Sequence, residues 1–411
     1  MGTTIAGIDV HKKVLMVVVV NQGAEEAKAG ARKRFGTSAS ELSRLRLWLI
    51  EQGVEEAVME STAQYWRPVW MELEPCMKLH LAQAFSNRAR RGRKQDFKDA
   101  ERLVKRLRAE ELILSFVPEP EQRAWRTMTR MKTQLARDRV RLHSQLEGLL
   151  EEMRIKLSSV ISDLFGVSGR RILRALADGQ TDLEKLAALG SQRLQCGKEQ
   201  LIDALNAKPS AMHRRLLALY LERLQVIDMQ MEELNQMVAT AMKPHEDAVM
   251  RLSEVPGFGA DSAQQVIAEA GPQANSFDTA AQFTSWAGTC PGKQESAEQN
   301  KSGRSAKGNK YLRRVLTEVA QAAVKAKGCH YQTVFRRLLP RLGYKQALWA
   351  IVHRLCRLVW KILHDRVRYI EQDLYRDPKA VQQRARSLAR ALRHLGYNVN
   401  LQMRELNPVA P

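Results

Sequence analysis

Thr4-Ile-Ala-Gly-Ile-Asp-Val10, joined by His11-Lys-Lys13 to Val14-Leu-Met-Val-Val-Val-Val20, is the stretch that decides the fold. Both runs are short, apolar and rich in β-branched residues, and the polar link between them is long enough only for a reversal, so the pattern predicts a β-hairpin. Working outward, Ser38-Ala-Ser-Glu41 has the form of a capping box, opening a helix with Leu42, Leu45, Trp48 and Leu49 on one side. Residues 56–60 and 77–83 read as short strands with a helix over 64–74 between them. The order β-β-α-β-α-β with short links predicts a mixed sheet flanked by helices.

Within this frame the acids stand out. Asp9 sits inside an otherwise apolar strand, where an uncompensated charge costs several kcal/mol unless it is paired or holds a metal. Glu60 ends another apolar strand, so the two can project toward the same edge of the sheet. Asp96 and Asp99 lie three apart in a helical stretch and share a face. Four such carboxylates can hold two Mg²⁺ ions about 4 Å apart, an arrangement suited to phosphodiester displacement. Residues 88–108 add ten Lys or Arg against three acids, an electrostatic track for a nucleic-acid backbone.

Composition agrees with that partner. The 411 residues carry 66 Lys plus Arg and 45 Asp plus Glu, a net charge of +21 that points to a polyanion, with nucleic acid the leading candidate. The 44% apolar content is enough for real cores and excludes wholesale disorder. The longest apolar run, 14–20, is far below the roughly 18 residues needed to span a bilayer. With no signal peptide in the opening residues, no membrane association is expected and the expected location is the cytoplasm. Cys76, Cys196, Cys290, Cys329 and Cys356 form no CxxC pair, which argues against a disulfide framework and a zinc site.

Beyond residue 120 the pattern changes to long helical periodicity, broken at 166–169 and 179–190, and predicts an antiparallel coiled-coil arm. From 250 a second compact, mostly helical region follows. It holds a turn, Val255-Pro-Gly-Phe-Gly259, with the spacing of a helix-hairpin-helix, and ends in a basic helix over 348–369. Between them, residues 301–327 hold eight Lys or Arg and one acid, a loop able to surround a phosphate with cations.

Three motifs carry a family likeness. Gly7-Ile-Asp9-Val-His-Lys12, Met59-Glu60-Ser-Thr62 and Lys94-Gln-Asp96-Phe-Lys-Asp99-Ala100 resemble, in order and context, the DEDD motifs of the insertion-sequence transposases related to the Piv DNA invertase. The first domain of that family is similar to the Holliday-junction resolvase RuvC, an RNase H-like fold. The stretch 255–314 is similar to the family's transposase domain, in which a Ser five residues after a Pro precedes a Lys-Gly-Asn and Leu-Arg segment. Ser296 falls on that serine, five after Pro291, with Ala297 and Gly292 where the family commonly has Gly and Arg. Ser302 and Ser305 are the alternatives.

The resemblance implies four parts: a RuvC-like DEDD domain over 1–115, a helical coiled-coil arm over 116–249, a transposase domain with the serine loop over 250–375, and a basic tail over 376–411. It implies a DNA recombinase in which Asp9, Glu60, Asp96 and Asp99 hold Mg²⁺ and Ser296 attacks a DNA phosphate to form a phosphoserine. A noncoding bridge RNA would pair with donor and target DNA, and the protein would act as dimers pairing into tetramers. Lys301, Arg304, Lys307 and Arg313 are the expected phosphate contacts. Two readings compete: a metal-dependent Holliday-junction-type nuclease that hydrolyses DNA with water and needs only the four acids, and a non-catalytic RNA-binding or nucleoid protein. The second leaves the buried Asp9 unexplained.

Overall fold

The computed structural model describes residues 3–21, 30–61, 63–84, 87, 97–190, 194–292, 294–296, 299–302, 305–371, 386 and 389–390, with the backbone alone at 294–296 and 299–302. The chain forms two compact units, Met1–Pro118 and Glu119–Pro411. Most of the basic tail over 376–411 lies outside the described residues.

The first unit is built on a five-stranded mixed sheet. Its strands are β1 (Ile5–Val10), β2 (Leu15–Val20), β3 (Arg32–Phe35), β4 (Glu56–Glu60) and β5 (Lys78–Ala82), in the order β3-β2-β1-β4-β5. β1, β2 and β3 pair antiparallel, while β4 and β5 run parallel to β1. The arrangement is consistent with an RNase H-like domain. Helices α1 (Ala39–Glu51) and α2 (Trp66–Leu73) connect the later strands, and α3 (Lys98–Arg108) follows β5. Residues 113–115 return along β5, with Gln83 N–H donating to the Ile113 carbonyl and Ser115 N–H to that of Leu81.

Strand alternation sorts this unit into two cores. Ala6, Ile8, Val10, Leu15, Val17, Ala57 and Met59 pack with Leu42, Leu45 and Leu49 of α1 and with Val69 and Leu73 of α2. The residues between them, including Ile5, Val18, Val20 and Val58, pack under Ala100, Leu103 and Val104 of α3. Every residue of β2 is therefore buried, which explains its unbroken apolar run. Ser38 caps α1 by accepting from Glu41 N–H, while the Glu41 carboxylate accepts from Gly36 N–H rather than completing a reciprocal box.

The sequence pattern misses β3. Arg32, Lys33 and Arg34 are exposed and only Phe35 is buried, against Trp48 at 5.5 Å, so this outer strand has no alternation to read. Its charge also suits an edge, where lysines and arginines discourage pairing with other chains.

The second unit is helical. α4 (Pro120–Glu152) and α9 (Ala211–Ala241) pack side by side, and the ion pairs Arg139–Asp228 and His213–Glu152, both at 3.4 Å, fix them antiparallel. Between them the chain forms α5 (Leu157–Val160), α6 (Val167–Ala177), α7 (Leu183–Ala188) and α8 (Lys198–Leu205), which share a core with Leu146, Leu149 and Leu150 of α4 and Leu217 and Leu221 of α9. The remainder comprises α10 (Glu246–Ser253), α11 (Ala260–Ala270), α12 (Ala280–Ala287), a hairpin of β6 (Gln294–Ser296) and β7 (Gln299–Ser302), α13 (Lys310–Ala323) and α14 (His330–His364). The basic helix thus begins earlier than expected and stops at His364. It breaks at Gly343, where φ is +71°, just after Pro340, and Arg366 then takes a positive φ of 54° that ends helical geometry. The amino-terminal half of α4 packs on α11, so the long helix serves both its partner α9 and the region around the serine loop.

Candidate active site

In the first unit, Asp9 and Glu60 stand at the carboxyl ends of adjacent parallel strands, one residue beyond the Ile8–Met59 pair. Parity turns both toward the α3 face of the sheet. Asp99 lies in the first turn of α3. The close seating of α3 depends on Gly7, because a Cβ there would lie 2.1 Å from the Ala100 carbonyl oxygen and 2.8 Å from Val104 Cγ2. The glycine of the Gly7-Ile-Asp9 motif is thus what lets the helix carrying Asp99 reach the strand carrying Asp9.

Burial pushes the Asp9 carboxyl above its usual range; His11, whose Nε2 lies 3.0 Å from Asp9 Oδ2, opposes this, and the negative charges of Asp99 and Glu60 raise it further. Three of the four expected acids therefore act on one another. Asp96, the fourth, lies outside the described residues. Among the described residues no group of three or more His, Cys, Asp and Glu is close enough to enclose a metal ion. The donor set nonetheless suits a hard divalent cation: oxygen ligands whose mutual repulsion a positive charge would relieve.

The sequence did not single out the support of these acids. Asn87, almost fully buried, donates from Nδ2 to Glu60 Oε2 at 2.9 Å. Arg102 donates from Nε to the Asn87 side-chain and main-chain oxygens, and its Nη2 pairs with Asp99 at 2.8 Å. One asparagine and one arginine thus link the strand acid to the helix acid. Arg102 was legible only as one of ten cations, and Asn87 had no signal at all, since its role is a contact across 27 residues. Outer partners of this kind typically contribute 10- to 100-fold to activity, so Asn87→Ala is expected to slow DNA cleavage by about that factor and to raise the Mg²⁺ concentration needed. Wild-type rates across a Mg²⁺ titration would show Asn87 to be structural only.

In the second unit Ser296 is the last residue of β6, paired with Gln299 at the tip of the hairpin, while its side chain is outside the described atoms. Ser302 pairs with Gln294 at the open end. Lys301 lies in β7 with its side chain undescribed, and Arg304 is outside the described residues. Lys307 is exposed. Arg313 holds the loop, donating to the Ala306 carbonyl at 3.2 Å and lying 4.8 Å over the Trp349 ring. Ser305 accepts a 2.8 Å hydrogen bond from Trp349 Nε1.

The two ends of this loop meet at a pair of glycines. A Cβ on Gly308 would lie 2.4 Å from the Ala287 carbonyl and the Gly288 nitrogen, and Gly288 takes a φ of +71°. Next to them Asn309 caps α13 through Tyr311 and Leu312 N–H, and donates from Nδ2 to Glu269 at 2.7 Å. Glu269 is buried at the end of α11, accepts a bidentate pair from Arg130 at 2.8 Å and lies 3.4 Å from Arg126. Burial, opposed by Glu269 and reinforced by Arg130, pulls the Arg126 guanidinium down to about 10. A lone Glu in the run Val266-Ile-Ala-Glu-Ala270 is a sequence signal for a buried, paired charge.

Comparison with known proteins follows this division. A DEDD transposase model of the IS110 type matches residues 6–155, and a model described as "Transposase IS116/IS110/IS902 family" matches residues 249–334. The chain belongs to the IS110-type transposases. A probable family 20 transposase of Pseudomonas aeruginosa is 27% identical over 308 residues, covering 74% of this chain and 81% of the relative. This transposase is accordingly an enzyme acting on DNA, and its DEDD domain points to dependence on a divalent metal. Among the described residues no helix is long and apolar enough to cross a membrane. All five cysteines are free, two of them buried.

Proposed function

We propose that this transposase cuts and rejoins DNA through a covalent phosphoserine at Ser296, supported by a Mg²⁺ site of Asp9, Glu60, Asp96 and Asp99. The observation that carries the reading is the placement of Asp9 and Glu60 at the carboxyl ends of adjacent parallel strands, on the face covered by the helix whose first turn bears Asp99. Two Mg²⁺ ions would supply charge neutralisation and orientation at the phosphate. The Ser296 oxygen forms a bond to phosphorus and loses its proton. The bond from phosphorus to a deoxyribose oxygen breaks, and that oxygen leaves as a hydroxyl. Reversal with a different strand's hydroxyl restores the serine. Asn87 and Arg102 keep Glu60 and Asp99 in place, His11 partners Asp9, and Lys301, Arg304, Lys307 and Arg313 offset the phosphate charge around the loop.

A bridge RNA from the same mobile element would select donor and target, with the protein assembling as dimers that pair into tetramers. The net charge of +21 supports a partner of this kind. Sequencing RNA that copurifies with the chain tests guidance, and a discrete noncoding RNA mapping beside its reading frame is expected.

The chemistry is tested on a denaturing gel. With cognate DNA and Mg²⁺, a protein–DNA adduct is expected in the wild type, absent in Ser296→Ala and strongly reduced in Asp9→Asn. Cleavage without any adduct would instead establish the hydrolytic junction-type nuclease, and activity surviving in both variants would sink both enzymatic readings.

A further inference from the structure

A cavity of about 1320 Å³ lies in the second unit, bordered by the base of the serine loop at Thr289, Pro291 and Ser305 and by one face of α14. That helix is two-sided after its break at Gly343. Ala347, Ile351, Val352, Leu355 and Val359 are buried in the core, while Lys345, Trp349, His353, Arg354 and Arg357 line the cavity at helical spacing. With Arg313 from α13, four cations surround the space, and among the described residues no acid lines it. Among the described residues, Lys345, Arg354 and Arg357 pair with no carboxylate.

The chemistry selects a class of ligand. Unpaired cations call for phosphates, and an aromatic ring with a guanidinium already over it calls for a planar group. Burial lowers the His353 imidazole below its usual range, with the charges of Arg357 and Arg354 adding to the effect and a hydrogen bond to the Thr289 backbone opposing it. The volume somewhat exceeds that of small-ligand pockets, roughly 300–1,000 Å³, which accommodates one or a few nucleotides and no duplex.

We propose that this cavity receives an unpaired segment of the DNA strand beside the serine loop, with a base against Trp349 and its phosphates on Lys345, Arg354 and Arg357. The inference rests on the reading of that loop as the strand-cutting element, and it adds where the strand must be unpaired. In sequence the face is visible only afterwards, because a basic stripe on a helix is ordinarily a solvated surface.

The test uses the full chain carrying Ser296→Ala, which cannot form an adduct, and a short single-stranded thymidine oligonucleotide containing one photoreactive 4-thiothymidine. Cross-linking to the peptide 345–357 is expected. Trp349→Ala should weaken binding on the order of ten-fold while Trp349→Phe retains most of it. Arg354→Gln combined with Arg357→Gln should reduce the slope of log affinity against log salt by about 1.4, the loss of two single-strand phosphate contacts. An unchanged slope, cross-links confined to other peptides, or equal cross-linking by the matching duplex would overturn the proposal. The serine reading fails separately: wild-type protein that cross-links through 345–357 yet never forms an adduct would refute that chemistry and leave the cavity's role intact.

Discussion

Replacing Gly7 by valine is expected to abolish DNA cleavage and to destabilise the first unit sharply. The added Cβ would stand 2.1 Å from the Ala100 carbonyl oxygen, a main-chain atom that moves only if α3 moves. Overpacking of this kind costs about 1–3 kcal/mol by itself. If α3 lifts, Leu103 and Val104 lose burial worth roughly 1.5–3 kcal/mol each. The functional loss follows from geometry, because Asp99 rides on α3 and Asp9 on β1. Gly7→Ala should act in the same direction more mildly. Thermal unfolding and cleavage assays together check this, and a Gly7→Val protein with wild-type Tm and activity would show that α3 does not sit on β1 as described.

Glu269→Ala is the second large effect. It strips the carboxylate from Arg126 and Arg130, whose side chains are only 11% and 28% exposed, and leaves Asn309 without its acceptor. Breaking a buried pair from one side typically costs about 3–5 kcal/mol, since the surviving charge remains desolvated. Urea unfolding should show a loss of that size, with Glu269→Gln intermediate because its amide oxygen can still accept from Asn309. A further consequence distinguishes this site from a plain core: Asn309 both caps α13 and borders the Gly288–Gly308 contact, so cleavage should fall more than folded fraction does. Equal stability of the alanine variant and the wild type would show that the pair contributes nothing net.

The comparison of sequence with structure has a physical pattern. β1, β2, β4 and β5 were legible because each has a face that must be apolar, and Asp9 was legible because it breaks such a face. β3 was not, since an edge strand of Arg32, Lys33 and Arg34 buries nothing there. The hairpin of β6 and β7 carries no strand signal because its residues are polar throughout. The site was readable in its acids and unreadable in what holds them. Asn87, Arg102 and Glu269 act through partners far along the chain, and only folding brings such pairs together. The helical spacing of α4 and α9 was plain, whereas the small helices between them, with glycines at 166, 169, 179 and 190, looked like mere interruptions.

The contact of Gly288 with Gly308 bears on how this enzyme can change over time. Because the two backbones already touch, the surrounding helices do not rely on the intervening segment to hold them together. Lengthening a segment whose ends are fixed costs little, about 0.6 kcal/mol for each doubling. Insertions between the buried Thr289 and the Ser305–Trp349 contact can therefore be taken up as a cassette, with substrate fit altered while the scaffold keeps its stability. The two glycines, and the serine on which the chemistry is proposed to rest, are the positions that such variation must leave alone.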